Sequence, residues 1–371
     1  MGSNADTTST GPLDGTDPET VRAAIDDGNP LPGTRGFAGQ VDGYLVRDVL
    51  GRQPLFLDDE DQERWAFDPT ELADPTPLPA GHVIDPAGDR RDAWTLPDPA
   101  PRSGTAAVQA VETAIDDALA AVDTDGLAIA FSGGVDSALL AARLDAPLYV
   151  AGFPDSHDVQ AAQETARLLD REVRVVELDH DALVETVPPV ATATGRTNAM
   201  AVEIALPLYL VAKRAAADGF DRLAVGQGAD ELFGGYAKIA RAPEDPRVAA
   251  ETVRGARREV LESLPNQLTR DVLAIRAGGV EPVAPLLADR VVKTGLDLPG
   301  SLLVADRGER KYALRLAARE WLPDPVAFRE KKALQYGSLV ARELDRLARQ
   351  AGFKRRMDDH VTQYVESLLA T

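Results

Sequence analysis

Cysteine is absent from all 371 residues. Disulfides, thiolate metal sites, persulfide carriers and thiol nucleophiles are excluded together. Histidine is scarce: His82, His157, His180 and His360 are the only four, and no two have zinc-ligand spacing. Lysine is nearly as scarce. There are seven (Lys213, Lys238, Lys293, Lys311, Lys331, Lys332 and Lys354), and the other 33 of the 40 basic residues are arginines. Against them stand 60 acidic residues, for a formal net charge of −20. Such a chain lacks the basic footprint of non-specific nucleic-acid binding. It has the balance of a protein from a high-salt cytoplasm, where short-range screening makes self-repulsion tolerable. No apolar run approaches the ~18 residues of a membrane span. The start has no basic-then-apolar signal peptide, and Asp6 stands where a myristoylation pattern wants Ser or Thr. A cytoplasmic protein with no membrane partner is expected.

What is present is ordinary for a globular chain: 44% hydrophobic and 27% charged residues. At roughly 150 residues per domain the length suggests two or three domains. Residues 1–17 are polar, acidic and Gly/Thr-rich, and read as a disordered tail. A short helix is expected from Pro18 to Asp27. Residues 18–85 read as a small β-rich domain, with short apolar runs at Tyr44-Leu45-Val46, Leu55-Phe56-Leu57 and Trp65-Ala66-Phe67 separated by Asp/Gly turns. Residues 86–104, rich in Pro, Asp, Gly and Arg, read as a linker. Residues 105–371 form the last domain, in which the pattern changes.

A helix over Ala106–Val122 precedes an apolar strand, Leu127-Ala128-Ile129-Ala130-Phe131, then a glycine turn and a helix through Leu139, Leu140 and Leu144. Further strands are expected at Leu148-Tyr149-Val150-Ala151, Val173 to Leu178 and Leu223-Ala224-Val225, with helices between them, one starting near Pro207. Apolar strands alternating with crossover helices specify an α/β fold with a doubly wound parallel sheet. From about residue 246 onward the chain reads as mostly helical.

The sharpest chemical signal is Ser132-Gly133-Gly134-Val135-Asp136-Ser137, between a buried strand and a helix. Glycines let the backbone approach a phosphate, and successive N–H groups at a helix start form an anion cradle. Ser132 and Ser137 add hydroxyls. Asp136 would repel a bare phosphate, so its presence implies a bridging Mg²⁺. The Gly-Lys-Ser/Thr end of a Walker loop is missing. The second signal, Gly226-Gln227-Gly228-Ala229-Asp230-Glu231-Leu232-Phe233-Gly234-Gly235-Tyr236, also follows a strand. Asp136 and Asp230, on neighbouring loops at strand carboxyl ends, are placed to share one metal ion.

Together the two motifs resemble the synthetase domain of asparagine synthetases, in the pyrophosphate-loop ATP pyrophosphatase superfamily. The resemblance covers nearly everything from about 105 to 371. It implies an adenine nucleotide alpha hydrolase-like sheet with a helical C-terminal part. The segment Ala151-Gly152-Phe153-Pro154-Asp155-Ser156-His157-Asp158 is similar to the family's second-strand exit beside the adenine. Lys311-Tyr312-Ala313-Leu314-Arg315, Leu322-Pro323 and Arg329-Glu330-Lys331-Lys332 are similar to its C-terminal signature. The family's catalytic lysine falls on Lys331, which neutralises charge on the phosphates during adenylation. Phe131, Ala151 and Gly226 would line the nucleotide site with Ser132, Gly133, Gly134, Asp136 and Ser137. Upstream, Gly43 to Phe56, Trp65-Ala66-Phe67 and Leu78 to His82 resemble the later half of the family's glutaminase domain. The earlier half, with its nucleophilic Cys at position 2, is missing; position 2 is Gly. A truncated glutaminase-like domain without glutamine hydrolysis is expected.

A second departure lies at Gln227, where asparagine synthetases usually carry a Glu that deprotonates ammonia and β-lactam synthetases carry Tyr. An amide accepts no proton at neutral pH. Ala138 also departs, from the family's Ser or Thr. The implied activity is AMP-forming amide ligation with ATP and Mg²⁺: a carboxylate, aspartate first, is adenylated and then attacked by ammonia, free or supplied by a separate protein. Two alternatives stand beside it: an adenylating enzyme for a tRNA base, against which the acidic charge counts, and a non-catalytic, degenerate nucleotide-binding synthetase.

Overall fold

A computed structural model describes residues 12–61, 63–102, 104–154, 156–242, 244–245, 249–329 and 335–370. The N-terminal part carries a helix at Pro18–Asp26. Asp17 caps it by accepting the Thr20 N–H at 2.9 Å, and Pro18 fills a first-turn position that needs no donor. Eight short strands follow the β signals: β1 Leu13–Asp14, β2 Ala38–Val41, β3 Tyr44–Arg47, β4 Phe56–Asp58, β5 Trp65–Ala66, β6 Pro75–Pro77, β7 His82–Ile84 and β8 Arg90–Asp92. They form antiparallel sheets of order β1-β2-β3-β7-β8 and β5-β4-β6. Two of them lie in stretches whose composition reads as unstructured. Leu13 and Asp14, inside the expected tail, pair with Gly39 and Ala38. Arg90–Asp92, inside the expected linker, pair with His82–Ile84. Just beyond, Trp94 is buried edge-on against Phe37 at 5.6 Å, and its Nε1–H donates to the Ala24 carbonyl. One buried aromatic and one ladder outweigh the local polarity.

The second part is built on a five-stranded parallel sheet: β9 Leu127–Ala130, β10 Leu148–Gly152, β11 Val173–Glu177, β12 Arg222–Ala224 and β13 Glu281–Val283, in the order β11-β10-β9-β12-β13. Period-two alternation divides its central strands between two cores. Leu127, Ile129, Leu148 and Val150 pack with the helices Thr105–Ala120 and Val135–Arg143. Ala128, Tyr149, Ala151 and Leu223 pack with Val211, Ala212 and Ala215 of the helix Ala199–Ala217 and with Ile275 of the helix Val253–Ala277. Helices therefore cover both faces. The fifth strand lies in the stretch expected to be helical. Pro282 argues against a central strand, but β13 is an edge, where the missing donor costs little. The helix expected from Pro207 starts earlier, because Asn198 Oδ1 accepts the Ala201 N–H at 2.9 Å and caps it there, leaving Pro207 inside.

A buried ionic cluster joins the two parts. Arg52 donates from Nε to Asp48 Oδ1 at 2.8 Å and from Nη1 to Asp289 Oδ1 at 2.7 Å, all three side chains being 3% exposed or less. Asp289 Oδ2 also accepts the N–H groups of Gly33 and Thr34. Among the described residues no helix is long and apolar enough to cross a membrane.

Candidate active site

Within the parallel sheet the chain runs outward from β9 to β11, then crosses over to β12 on the other side. The winding reverses between β9 and β12, and in open α/β sheets the ligand crevice lies at the carboxyl ends beside that reversal. The two motifs leave the sheet there. Ser132–Gly134 connect β9 to the helix Val135–Arg143, and Gly226–Gly228 connect β12 to the short helix Ala229–Phe233. The loops touch: a Cβ on Gly226 would lie 2.9 Å from the Asp136 Cβ. Glycine at 226 is what allows this approach.

The first loop is held by its own hydroxyls. Ser137 Oγ accepts the Ser132 N–H at 3.2 Å and donates to the Gly134 carbonyl at 3.2 Å, while Ser132 Oγ lies 3.3 Å from it. Thr165 Oγ1 donates to the Gly133 carbonyl at 3.0 Å, fixing the loop to the neighbouring helix His157–Leu168. The side chains of Phe131 and Ala151 are in the hydrophobic cores and 2% exposed or less. What these two residues can offer a ligand is backbone at the strand ends. Asp155 and Lys331 lie outside the described residues, as does the whole of 330–334.

Asp136 and Asp230 meet at one group that the sequence placed in the C-terminal signature but not in the site. Lys311 Nζ lies 2.6 Å from Asp136 Oδ2 and 2.8 Å from Asp230 Oδ1. The lysine side chain is 2% exposed and the carboxylates 15% and 18%. Burial alone would drive the ammonium toward its neutral form, but the charges and hydrogen bonds of the two carboxylates prevail and raise its pKa above the ordinary 10.5. The ammonium form of Lys311 is thereby favoured. The residue adopts a left-handed backbone with φ of 59° at the start of the helix Tyr312–Ala318. Gly235 makes room for the cluster, since a Cβ there would stand 1.8 Å from Asp230 Oδ1 and 2.4 Å from Lys311 Cε. Arg310 Nη1 donates to the Gly235 carbonyl at 2.6 Å, tying the lysine segment to the second loop. Glu231, the other acid of that loop, does not join the pair. It is buried and accepts the Tyr236 hydroxyl, with its pKa raised by burial and by the neighbouring Asp230 charge.

Gln227 turns to another partner. Its Nε2 donates to Asp271 Oδ2 at 2.7 Å, on the helix Val253–Ala277. Two arginines of the C-terminal signature brace it from within. Arg315 Nη1 donates to the carbonyls of Ala327 and Arg329. Arg329 Nη1 in turn donates to Thr165 Oγ1 at 2.6 Å. Through Thr165 the chain two residues before Lys331 is anchored to the Ser132–Ser137 loop.

The donor set fits Mg²⁺. Asp136 Oδ1 is buried and has no hydrogen-bond partner among the described residues. These residues hold no cluster of three or more His, Asp or Glu poised for a metal. Two carboxylates are enough for Mg²⁺, which keeps several waters and takes further oxygens from substrate phosphates.

Fold and site together define an α/β protein with a serine–glycine loop and paired acids at the switch point of a doubly wound sheet. The family model described as asparagine synthase matches residues 110–277 and 244–369. The chain belongs to the asparagine synthase family. It is 31% identical to a provisionally named glutamine-hydrolyzing asparagine synthetase of Methanocaldococcus jannaschii over 267 residues, 62% of this chain and 49% of the relative. To the glutamine-hydrolyzing asparagine synthetase B of Escherichia coli it is 26% identical over 190 residues, 51% of this chain and 34% of the relative. The chain thus spans half or less of the length of these curated relatives.

Proposed function

We propose that this chain is an ATP-dependent, AMP-forming amide ligase that activates the side-chain carboxylate of aspartate and transfers it to ammonia. The observation that carries this reading is the junction of Asp136 and Asp230 on Lys311, beside the serine–glycine cradle and at the sheet's switch point. The substrate carboxylate attacks the α-phosphate, and pyrophosphate leaves with the electron pair of the broken P–O bond. Ammonia then attacks the acyl carbon, AMP departs with the C–O electron pair, and the surplus proton passes to water. Backbone N–H groups of Gly133 and Gly134 and the hydroxyls of Ser132 and Ser137 hold the pyrophosphate. The main chain at Phe131, Ala151 and Gly226 lines the nucleotide. Asp136 and Asp230 hold Mg²⁺, which supplies charge neutralisation at the phosphates. Lys331 adds a second positive charge during adenylation.

The nitrogen source is free ammonia or a separate ammonia-supplying protein, because this chain has no thiol to attack glutamine. The β-rich N-terminal part, which resembles the later half of a glutaminase domain, packs against the synthetase part through the Arg52–Asp289 ion pair. The test is pyrophosphate release from Mg·ATP with aspartate and ammonium, with RNA, and with neither. Release and asparagine formation only with the first pair support the ligase. Release with RNA alone, or none with any addition, overturns it. Asp136→Asn and Asp230→Asn should each abolish release with an unchanged circular dichroism spectrum, since a lost metal ligand removes several kcal/mol of transition-state stabilisation. Glutamine and ATP alone should yield no glutamate.

A further inference from the structure

The residue between the two glycines of the second motif is an amide, and its structural setting assigns it a use. Gln227 has one hydrogen bond among the described residues, from Nε2 to Asp271 Oδ2 at 2.7 Å. Burial raises the pKa of Asp271, and the Arg270 guanidinium and the Gln227 NH₂ that face it favour its carboxylate form. Asp271 is 8% exposed and cannot swing away: its Oδ1 accepts from Arg270 Nε at 2.7 Å and lies 2.7 Å from Arg270 Nη2. Arg270 is itself 7% exposed. The amide is therefore held from behind by a buried, doubly braced acid. Its carbonyl Oε1 accepts no hydrogen bond from any described residue, and it is carried on the loop that meets Asp136.

We propose that Asp271 is a positioning residue for the second half-reaction: it fixes Gln227 so that Oε1 receives an N–H of the attacking amine and aims the nitrogen lone pair at the acyl carbon. This rests on the ligase reading above. As the N–C bond forms and the C–O bond to AMP breaks, positive charge grows on the nitrogen. A fixed carbonyl stabilises that charge without taking the proton, which passes to water. The acidic function of this corner is thus set one side chain back, from 227 to 271. On this arrangement Gln227→Glu alone should not raise asparagine formation, because it would set two acidic side chains 2.7 Å apart.

The test uses the full chain. Asp271→Asn should lower asparagine formation at least tenfold while pyrophosphate release falls less than threefold, with the loss in kcat and not in the KM for ammonium. The exchanged pair Gln227→Glu with Asp271→Asn restores one acid and one amide, and should recover most of that loss. Parallel loss of both steps, or an unchanged ratio between them, overturns the proposal. A readout independent of activity guards against failure of the ligase reading itself. In protein labelled with ¹⁵N-glutamine, the Gln227 side-chain NH₂ should exchange slowly in the native chain and rapidly in Asp271→Asn. Equal exchange in the two overturns the pairing even if no substrate is ever turned over.

Discussion

Lys311→Met tests the centre of the site without touching a carboxylate. In the native chain one ammonium answers two acids at 2.6 and 2.8 Å, in surroundings that are almost dry. Methionine nearly matches the volume of the lysine stem, so packing changes little and the loss is one of charge. Removing one partner from a buried ionic group costs about 3–5 kcal/mol, because the charges left behind are uncompensated. At ~2.1 cal/mol/K of unfolding entropy per residue over 371 residues, each kcal/mol is worth ~1.3 °C, so the melting temperature should fall by roughly 4–6 °C at neutral pH. Mg²⁺ should rescue the variant, since a ligand at one hundred times its Kd adds about 2.7 kcal/mol. In the native chain Lys311 already stands between the acids, and Mg²⁺ without nucleotide should move the melting temperature little. The lysine's own contribution has a defined pH window: its pKa is raised, so the contribution is complete below the ordinary 10.5 and is lost as pH climbs through the higher folded value. The assay is thermal unfolding by circular dichroism, with MgCl₂ and with NaCl of equal ionic strength. A variant melting within ~2 °C of the native protein, about half the smallest fall expected, would refute the reasoning. So would a Mg²⁺ response no larger than the native one.

Gly235→Ala should destabilise the chain and disrupt the Asp230–Lys311 contact, since its Cβ would lie 1.8 Å from Asp230 Oδ1; wild-type unfolding and wild-type pyrophosphate release in the same variant would contradict this. Glu203, on the helix Ala199–Ala217, has its carboxyl pushed up to about 7 by burial. A raised carboxylate stabilises below its ordinary 4.5 and loses that contribution as pH rises through about 7, so unfolding temperature should drop between those values and Glu203→Gln should flatten the drop. An unchanged pH profile in Glu203→Gln would remove Glu203 as its source.

The parallel sheet was legible where buried strands leave near-continuous apolar text, as at Leu127–Ala130 and Leu148–Gly152. The cradle was legible because a glycine pair and two hydroxyls fall within six residues. What escaped is non-local. Lys311 lies 175 residues from Asp136, and a lysine is almost never fully buried unless paired; nothing near it in sequence names its partners. Asp271 sits in a helix among ordinary charged residues, and only tertiary packing sets it against Gln227. The edge strand Glu281–Val283 was masked by Pro282, and the true start of the helix at Ala199 by a proline that reads as its first turn.

The Asp48–Arg52–Asp289 cluster bears on how this chain can change over time. Arg52 is the shared counter-ion of two acids, one from each part of the molecule. Deleting the β-rich part would leave Asp289 without its arginine and without the N–H groups of Gly33 and Thr34. The two parts are therefore expected to fold as one cooperative unit and not as separable modules. A domain bound in this way would be kept for the stability of its neighbour, whatever chemistry it carries.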